Sequence, residues 1–282
     1  RLRVRPLEAP EDDALVDARE IGDLVHVALE RLYADLPWSR GEEPVGAAAR
    51  ERLAAEVAEL ARRLARGRLR AFPAVARALA RTWGAALERF VLADVHDLAA
   101  RGARSIAREN AFEGLLPTSI GPIALRARID RVVRLADGSE EVADYKTGRI
   151  GDLAKPLEAA RGRRLQLALY AFAREVETGR LPRASALRIH PDATEPEIES
   201  LAPDALGGAR GAIETALGVL ATLSRDGVFP LASHDSACRH CRWRRACRRS
   251  HAPTRARNFA AAAHAAYVAL AKATLAAAKE ET

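Results

Sequence analysis

The first sustained pattern along the chain is helical. Ile21, Leu24, Val25, Ala28, Leu29, Leu32 and Tyr33 recur at spacings of three and four, which predicts an amphipathic helix from Ile21 to a stop at Pro37. Residues 1–19 have no such period, mix acidic and basic side chains, and contain Pro6 and Pro10. Residues 45–66 and 73–101 predict two more helices, rich in Ala, Leu and Arg and divided near Gly67 and Pro73. Trp83, Phe90 and Val91 supply bulk for their packing.

After Gly102 the period changes. Residues 106–113 predict a short strand, and 114–121 a turn region containing Pro117. Residues 123–135 alternate apolar and polar, Asp137-Gly138 follows, and 140–146 read as the return strand of a hairpin, stopped by Thr147-Gly148. Next come a helix over 156–178 ending at Gly179, a strand over 184–190 stopped by Pro191, and a strand over 197–201. A helix over 204–225 leads to a cysteine-bearing segment, and an Ala-rich helix over 257–280 closes the chain. No internal repeat is visible. The order predicts an α/β core with a large helical insertion near the N-terminus. It divides into a lead-in (1–20), a helical region (21–101), a core (102–230), a basic cysteine-rich strap (231–256) and a terminal helix (257–282).

Of the 282 residues, 49% are hydrophobic and 29% charged, a balance that supports a sizeable core and excludes a disordered or collagen-like chain. No apolar run reaches the roughly 18–20 residues of a bilayer crossing. Residues 260–271 come closest, but they are mostly alanine and carry His264. Methionine is absent, which points to an excised fragment or a processed product. The net charge of +7 favours anionic partners such as nucleic acid, and equally fits an arginine-biased composition.

Asp144 and Lys146 lie two apart on one strand and therefore share a face of the sheet. Asp130 sits on the paired strand, nearly opposite Asp144 if Asp137-Gly138 is the turn. Cross-strand partners on one face stand about 4.5–5.5 Å apart at Cβ. Two carboxylates that close repel unless a divalent cation lies between them, and hard oxygen ligands suit Mg²⁺ or Mn²⁺. A lysine beside them can neutralise developing phosphate charge or orient the attacking water. The competing reading is an exposed hairpin face with an ordinary Asp–Lys pair. Gln166 and Tyr170 share one helix face at i, i+4, as do His26 and Glu30.

Taken in order, the strings Gly22-x-x-x-His26-x-x-x-Glu30, Arg128-Ile-Asp130-Arg, Asp144-Tyr-Lys146-Thr-Gly148 and Gln166-x-x-x-Tyr170 resemble the RecB/AddB-type branch of the PD-(D/E)XK nucleases. The likeness runs from about residue 20 to about 250 and is nearest to the C-terminal nuclease domain of an AddB-like helicase–nuclease subunit. It implies a restriction-endonuclease-like mixed sheet flanked by helices, and metal-dependent hydrolysis of DNA phosphodiesters. By the same resemblance Asp130, Asp144 and the Tyr145 carbonyl are metal ligands, His26 is a further ligand or its neighbour, and Lys146 serves the water and the scissile phosphate. Gln166 and Tyr170 position the lysine, the metal shell or the DNA backbone. Glu109, placed at the opening of the first strand, resembles an acidic position of the family. Ala127 departs from it, standing where a glycine often precedes the Arg-Ile-Asp string.

Cys238-x-x-Cys241-x5-Cys247 clusters three thiols among Arg239, His240, Arg242, Arg244, Arg245, Arg248 and Arg249. Clustering reads as a metal or cluster site rather than a disulfide framework. Zinc would take a fourth ligand such as His240 or His251. The resemblance points instead to a 4Fe–4S cluster whose fourth cysteine precedes the His26 helix, upstream of Arg1, and which ties the strap to that helix. The arginines, among them Arg242, Arg244, Arg245 and Arg248, read either as a DNA-binding patch or as a solvated basic loop. Trp243 reads as a packing residue or a stacking platform for a single-stranded base.

No G-x-x-x-x-G-K-[ST] loop occurs, so ATP hydrolysis is expected from another domain or subunit. The implied setting is a cytoplasmic helicase–nuclease acting in double-strand break repair and recombination, more an exonuclease than an endonuclease, fed single DNA strands by a partner helicase. A catalytically silent DNA-binding module and a stand-alone iron–sulfur exonuclease are the alternatives.

Overall fold

The computed structural model describes residues 18–34, 45–66, 68–233, 235–238, 241, 243 and 246–272. The predicted first helix is α1 (Ala18–Leu32), which buries Ile21, Val25, Ala28, Leu29 and Leu32 along one stripe. Its expected stop, Pro37, lies outside the described residues. Next come α2 (Val45–Arg66), a 3-10 turn at Arg68–Ala71, and α3 (Pro73–Ala100). Pro73 opens α3 where a missing backbone N–H costs nothing. Gly84 lets α2 and α3 approach closely, since a Cβ there would lie 2.7 Å from Val57 Cγ2.

Five strands follow the helices: β1 (Ser105–Leu116), β2 (Ile123–Arg134), β3 (Glu140–Lys146), β4 (Arg183–Arg188) and β5 (Glu197–Leu201). They lie side by side in chain order. The β3–β4 pair is parallel and the others antiparallel, so the sheet is mixed, as expected. A parallel pair needs a crossover, and this one contains α4 (Pro156–Ala160) and α5 (Gln166–Thr178). Central β3 buries five consecutive residues, Glu141–Tyr145, because both of its faces are covered. On one face Val133, Ala143, Tyr145, Leu187 and Ile189 join a core with α1, α2 and α3. The other face carries Asp144 and Lys146, which meet Gln166 of α5.

The β2–β3 connection is a three-residue loop rather than a two-residue Asp-Gly turn. Leu135 N–H bonds Ser139 O at 2.9 Å, and Gly138 takes the left-handed conformation (φ +79°) that such a loop requires. Asp137 Oδ1 accepts from Ser139 N–H at 2.8 Å and centres the turn.

Two predicted helices are broken. The 156–178 helix divides at residues 161–165, because Gly162 (φ +71°) ends α4 in a Schellman motif. In that motif Arg163 N–H bonds Glu158 O at 2.8 Å and Gly162 N–H bonds Ala159 O at 2.9 Å. The Ala-rich C-terminal helix is likewise discontinuous as far as Lys272, with α7 (Ala252–Ala260), a 3-10 turn at Ala262–His264 and α8 (Ala265–Ala271); the rest of its expected span, 273–280, lies outside the described residues. There His264 Nδ1 donates to Asn258 O at 2.7 Å, while Asn258 Oδ1 accepts from Leu231 N–H at 2.9 Å. These longer-range bonds outweigh alanine's helix propensity. Between these elements α6 spans Pro203–Arg225.

Two compact units result. One takes Leu15–Pro156 and Arg164–Gly207, and so contains α1, α2, α3, the sheet and α5; the other includes Leu157–Arg163 and the chain from Gly208 onward. No helix among the described residues is long and apolar enough to cross a membrane.

Candidate active site

The hairpin ladder pairs Arg131 with Ala143 and Val132 with Val142. Continued by one step, it sets Asp130 directly across from Asp144, on the face that α5 covers. Asp144 is almost wholly buried, with a side chain 2% exposed, and Asp130 is nearly so at 11%. Gln166, the first residue of α5, donates to Asp144 Oδ1 at 2.7 Å and accepts from Lys146 Nζ at 3.0 Å. Its Nε2 also reaches the Tyr170 hydroxyl at 2.9 Å, one helical turn on. Lys146 Nζ stands 2.5 Å from Asp144 Oδ2, pairing its charge with the second oxygen of that carboxylate. The break that separates α4 from α5 starts the second helix at Gln166, where this bridge is made.

Asp130 is held from the backbone side. Its Oδ2 accepts from Tyr145 N–H at 2.8 Å. His26 of α1 donates through Nε2 to Tyr145 O at 2.9 Å, and its Nδ1 lies 3.4 Å from Asp130 Oδ2. With Nε2 so bonded, a neutral ring turns the Nδ1 lone pair toward the carboxylate, an arrangement a cation relieves, whereas a protonated ring attracts it.

Glu109 completes the cluster. It lies within β1 rather than at its opening, and the β1–β2 ladder skips it between Arg108↔Arg131 and Asn110↔Ile129. Its backbone is left-handed (φ +47°), an uncommon state for a non-glycine residue. Ligand atoms of His26, Glu109 and Asp130 all lie within 4.8 Å of one another. Arg128 pairs with Glu109 from the outer side. The β1–β2 register is the same on either side of Glu109 and sets it opposite Asp130, while its left-handed backbone has no sequence signal.

Burial pushes the Asp130 carboxyl up to about 6, with Asp144 and Glu109 adding to the rise, and His26 and the Tyr145 N–H opposing it. Burial also raises Asp144, against the pull of Lys146. Tyr170 is pushed up to about 12, again chiefly by burial. Two acids that resist ionisation side by side, with a third carboxylate and an imidazole within reach, suit a hard divalent cation.

A family model for the PD-(D/E)XK nuclease superfamily matches residues 1–248. The chain belongs to the PD-(D/E)XK nuclease superfamily. Members of this superfamily are mostly metal-dependent nucleases, and the mixed sheet with flanking helices agrees with the fold. At that level the family supports a nuclease-type function with divalent-metal use and DNA binding, and His26, Glu109 and Asp130 could hold an ion. Among solved structures, the chain is similar to one titled "Crystal structure of SSO0001", at 14% identity and a TM-score of 0.32, over 80% of this chain and 95% of that one. No curated protein matches.

The nuclease's three cysteines form no disulfide. Cys238 ends a 3-10 turn (Asp235–Cys238) and is half-buried, Cys241 is exposed and Cys247 half-buried. Cys247 N–H bonds Trp243 O at 2.8 Å, and the Trp243 ring is 45% exposed. His251 Nδ1 is engaged with Thr254 Oγ1 at 2.8 Å. Of the arginines expected to contact DNA, Arg248 is exposed, whereas Arg242, Arg244 and Arg245 lie outside the described residues, as do Arg239 and His240. Arg249 donates to Ala232 O at 2.8 Å.

Proposed function

We propose that the chain hydrolyses DNA phosphodiester bonds at the Asp130–Asp144–Lys146 site, as the nuclease domain of a RecB/AddB-like helicase–nuclease in cytoplasmic double-strand break repair. The observation that carries this is the bridge of Gln166 between Asp144 and Lys146, which fixes a primary amine against a buried carboxylate. Asp130, Asp144 and the Tyr145 carbonyl would hold Mg²⁺ or Mn²⁺, with His26 and Glu109 at its edge. A cation there supplies an acidified water and neutralises phosphate charge. Lys146 holds the attacking water in line and pairs with the non-bridging phosphate oxygens. Gln166 orients that amine, and Tyr170 holds Gln166.

Asp144→Ala and Lys146→Ala should each lower Mg²⁺-dependent cleavage of an end-labelled oligonucleotide by about 10²-fold or more, from the size of single electrostatic contributions to catalysis. DNA binding and the circular dichroism spectrum should persist. Unchanged cleavage by either variant refutes the site. DNA binding by the wild type with no cleavage in Mg²⁺ or Mn²⁺ favours a silent DNA-binding module instead.

The same reading assigns Cys238, Cys241 and Cys247 to three corners of an iron–sulfur cluster. A 4Fe–4S cluster takes four thiolates and the sequence holds three cysteines, so these residues do not complete it, and no step of the reaction runs through it. In a longer protein that supplies the fourth thiolate, Cys241→Ser should lower the melting temperature and remove visible absorbance; an unaltered spectrum counts against the assignment, and bound zinc favours the tetrahedral alternative.

A further inference from the structure

Behind the candidate site, on the opposite face of the sheet, lies a buried ion pair that the proposed reaction does not use. Arg131 follows Asp130 on β2, so its side chain enters the core between the sheet and α3. Its side chain is 2% exposed and that of its partner Asp94 is 5% exposed. Arg131 Nη1 donates to Asp94 Oδ2 at 2.6 Å, and the Tyr33 hydroxyl donates to the same oxygen. Among the described residues, Arg131 Nε and the Tyr145 hydroxyl are buried with no well-aligned hydrogen bond, though the Arg131 charge acts on that hydroxyl.

Burying two charges costs several kcal/mol of desolvation that their attraction only partly returns, and an apolar pair of similar volume often serves stability as well or better. The pair lies against two aromatic rings. The guanidinium carbon lies 5.4 Å from the Tyr33 ring centroid and 5.6 Å from that of Tyr145. Those two rings are near parallel at 6.3 Å, and Phe90 and His26 meet Tyr145 edge-on at 6.0 Å and 5.9 Å. The Tyr145 main chain faces the other way. Its N–H fixes Asp130, and its carbonyl takes the bond from His26.

We propose that the Asp94–Arg131 pair is a positioning unit for the metal site, clamping the Tyr145 ring so that the peptide groups on either side of it present Asp130, His26 and the Tyr145 carbonyl in register. Arg131 and Asp94 touch neither metal nor DNA. They act through Tyr145 alone, and the inference rests on the metal-site reading above.

The test uses the double variant Asp94→Leu/Arg131→Met, which removes both charges together and leaves no unpaired ion in the core. Mn²⁺ binding by titration calorimetry should weaken about tenfold, the lower end of the effect of losing a group that orients metal ligands. The Mn²⁺ concentration giving half-maximal cleavage should rise by the same factor, while KM for DNA at saturating Mn²⁺ stays put. Arg131→Lys retains the charge but not the planar group that lies over the rings. It should fold and show the same weakening, and it decides the matter if the double variant fails to fold. Wild-type Mn²⁺ affinity in a folded variant overturns the proposal. Asp144→Ala separates the two ideas: if it loses Mn²⁺ while the positioning variants keep it, this inference alone falls, and if it too binds Mn²⁺ like wild type, the metal-site reading falls and takes the inference with it.

Discussion

Removing the charge of Asp130 should make the metal-free protein more stable. A carboxyl moved from 3.8 to about 6 is less favourably ionised in the fold than in the unfolded chain by about 3 kcal/mol. The sign follows from proton linkage. Below 3.8 the group is neutral in both states and nothing is lost; stability then declines as pH rises and is fully forfeited above about 6. Asp130→Asn keeps an oxygen to accept the 2.8 Å bond from Tyr145 N–H and deletes the charge that burial, Asp144 and Glu109 all oppose. It also forgoes the attraction of His26, so the expected gain is about 1–3 kcal/mol at pH 8. The assay is urea unfolding with a chelator present, at pH 8 and again at pH 4.5. The variant should exceed wild type at pH 8, and most of that excess should vanish at pH 4.5. Added Mn²⁺ should then stabilise wild type but not the variant. A variant no more stable than wild type at pH 8, or equally superior at both pH values, refutes the argument from desolvation and like charge.

Two further substitutions probe the same site. Gln166→Leu deletes the bridge to Lys146 and Asp144 while keeping the helix; kcat should drop by about 10²-fold with KM for DNA nearly constant, as expected when an interaction is made mainly in the transition state. A change confined to KM would place Gln166 in DNA binding instead. Glu109→Gln should raise the Mn²⁺ concentration for half-maximal cleavage by about tenfold, the scale on which weakened ligand sets lose affinity. It should also draw the Asp130 carboxyl back toward its ordinary range, visible as a smaller fall in stability between pH 4.5 and pH 8.

The parts of the site legible in the sequence are those set by short-range geometry. A hairpin fixes its own register, and the alternation of residues 123–135 and 140–146 about Asp137 was enough to set Asp130 across from Asp144 and to align Lys146 with it. The spacing of Gln166 and Tyr170 put both on one helix face in the same way. What lay hidden depends on contacts between distant segments. The cut at residues 161–165 rests on a glycine adopting a left-handed turn, and the breaks in the C-terminal helix on bonds from Asn258 and His264 that no period encodes.

Asp94 and Arg131 are 37 residues apart, and a charged side chain in a strand or helix reads as solvent-facing until its partner is known. The left-handed Glu109 is concealed for a related reason: strain of that kind is held in place by surroundings rather than by its own sequence. The deviations from local rules therefore fall on both sides of one residue. Glu109 bends inward where the Tyr145 main chain meets Asp130 and His26, while the ion pair is buried where the Tyr145 ring is clamped. A fold selected for stability alone would relax both. Their coincidence around one peptide is what the proposed cation site requires, where carboxylates that repel one another would regain that cost on binding a metal.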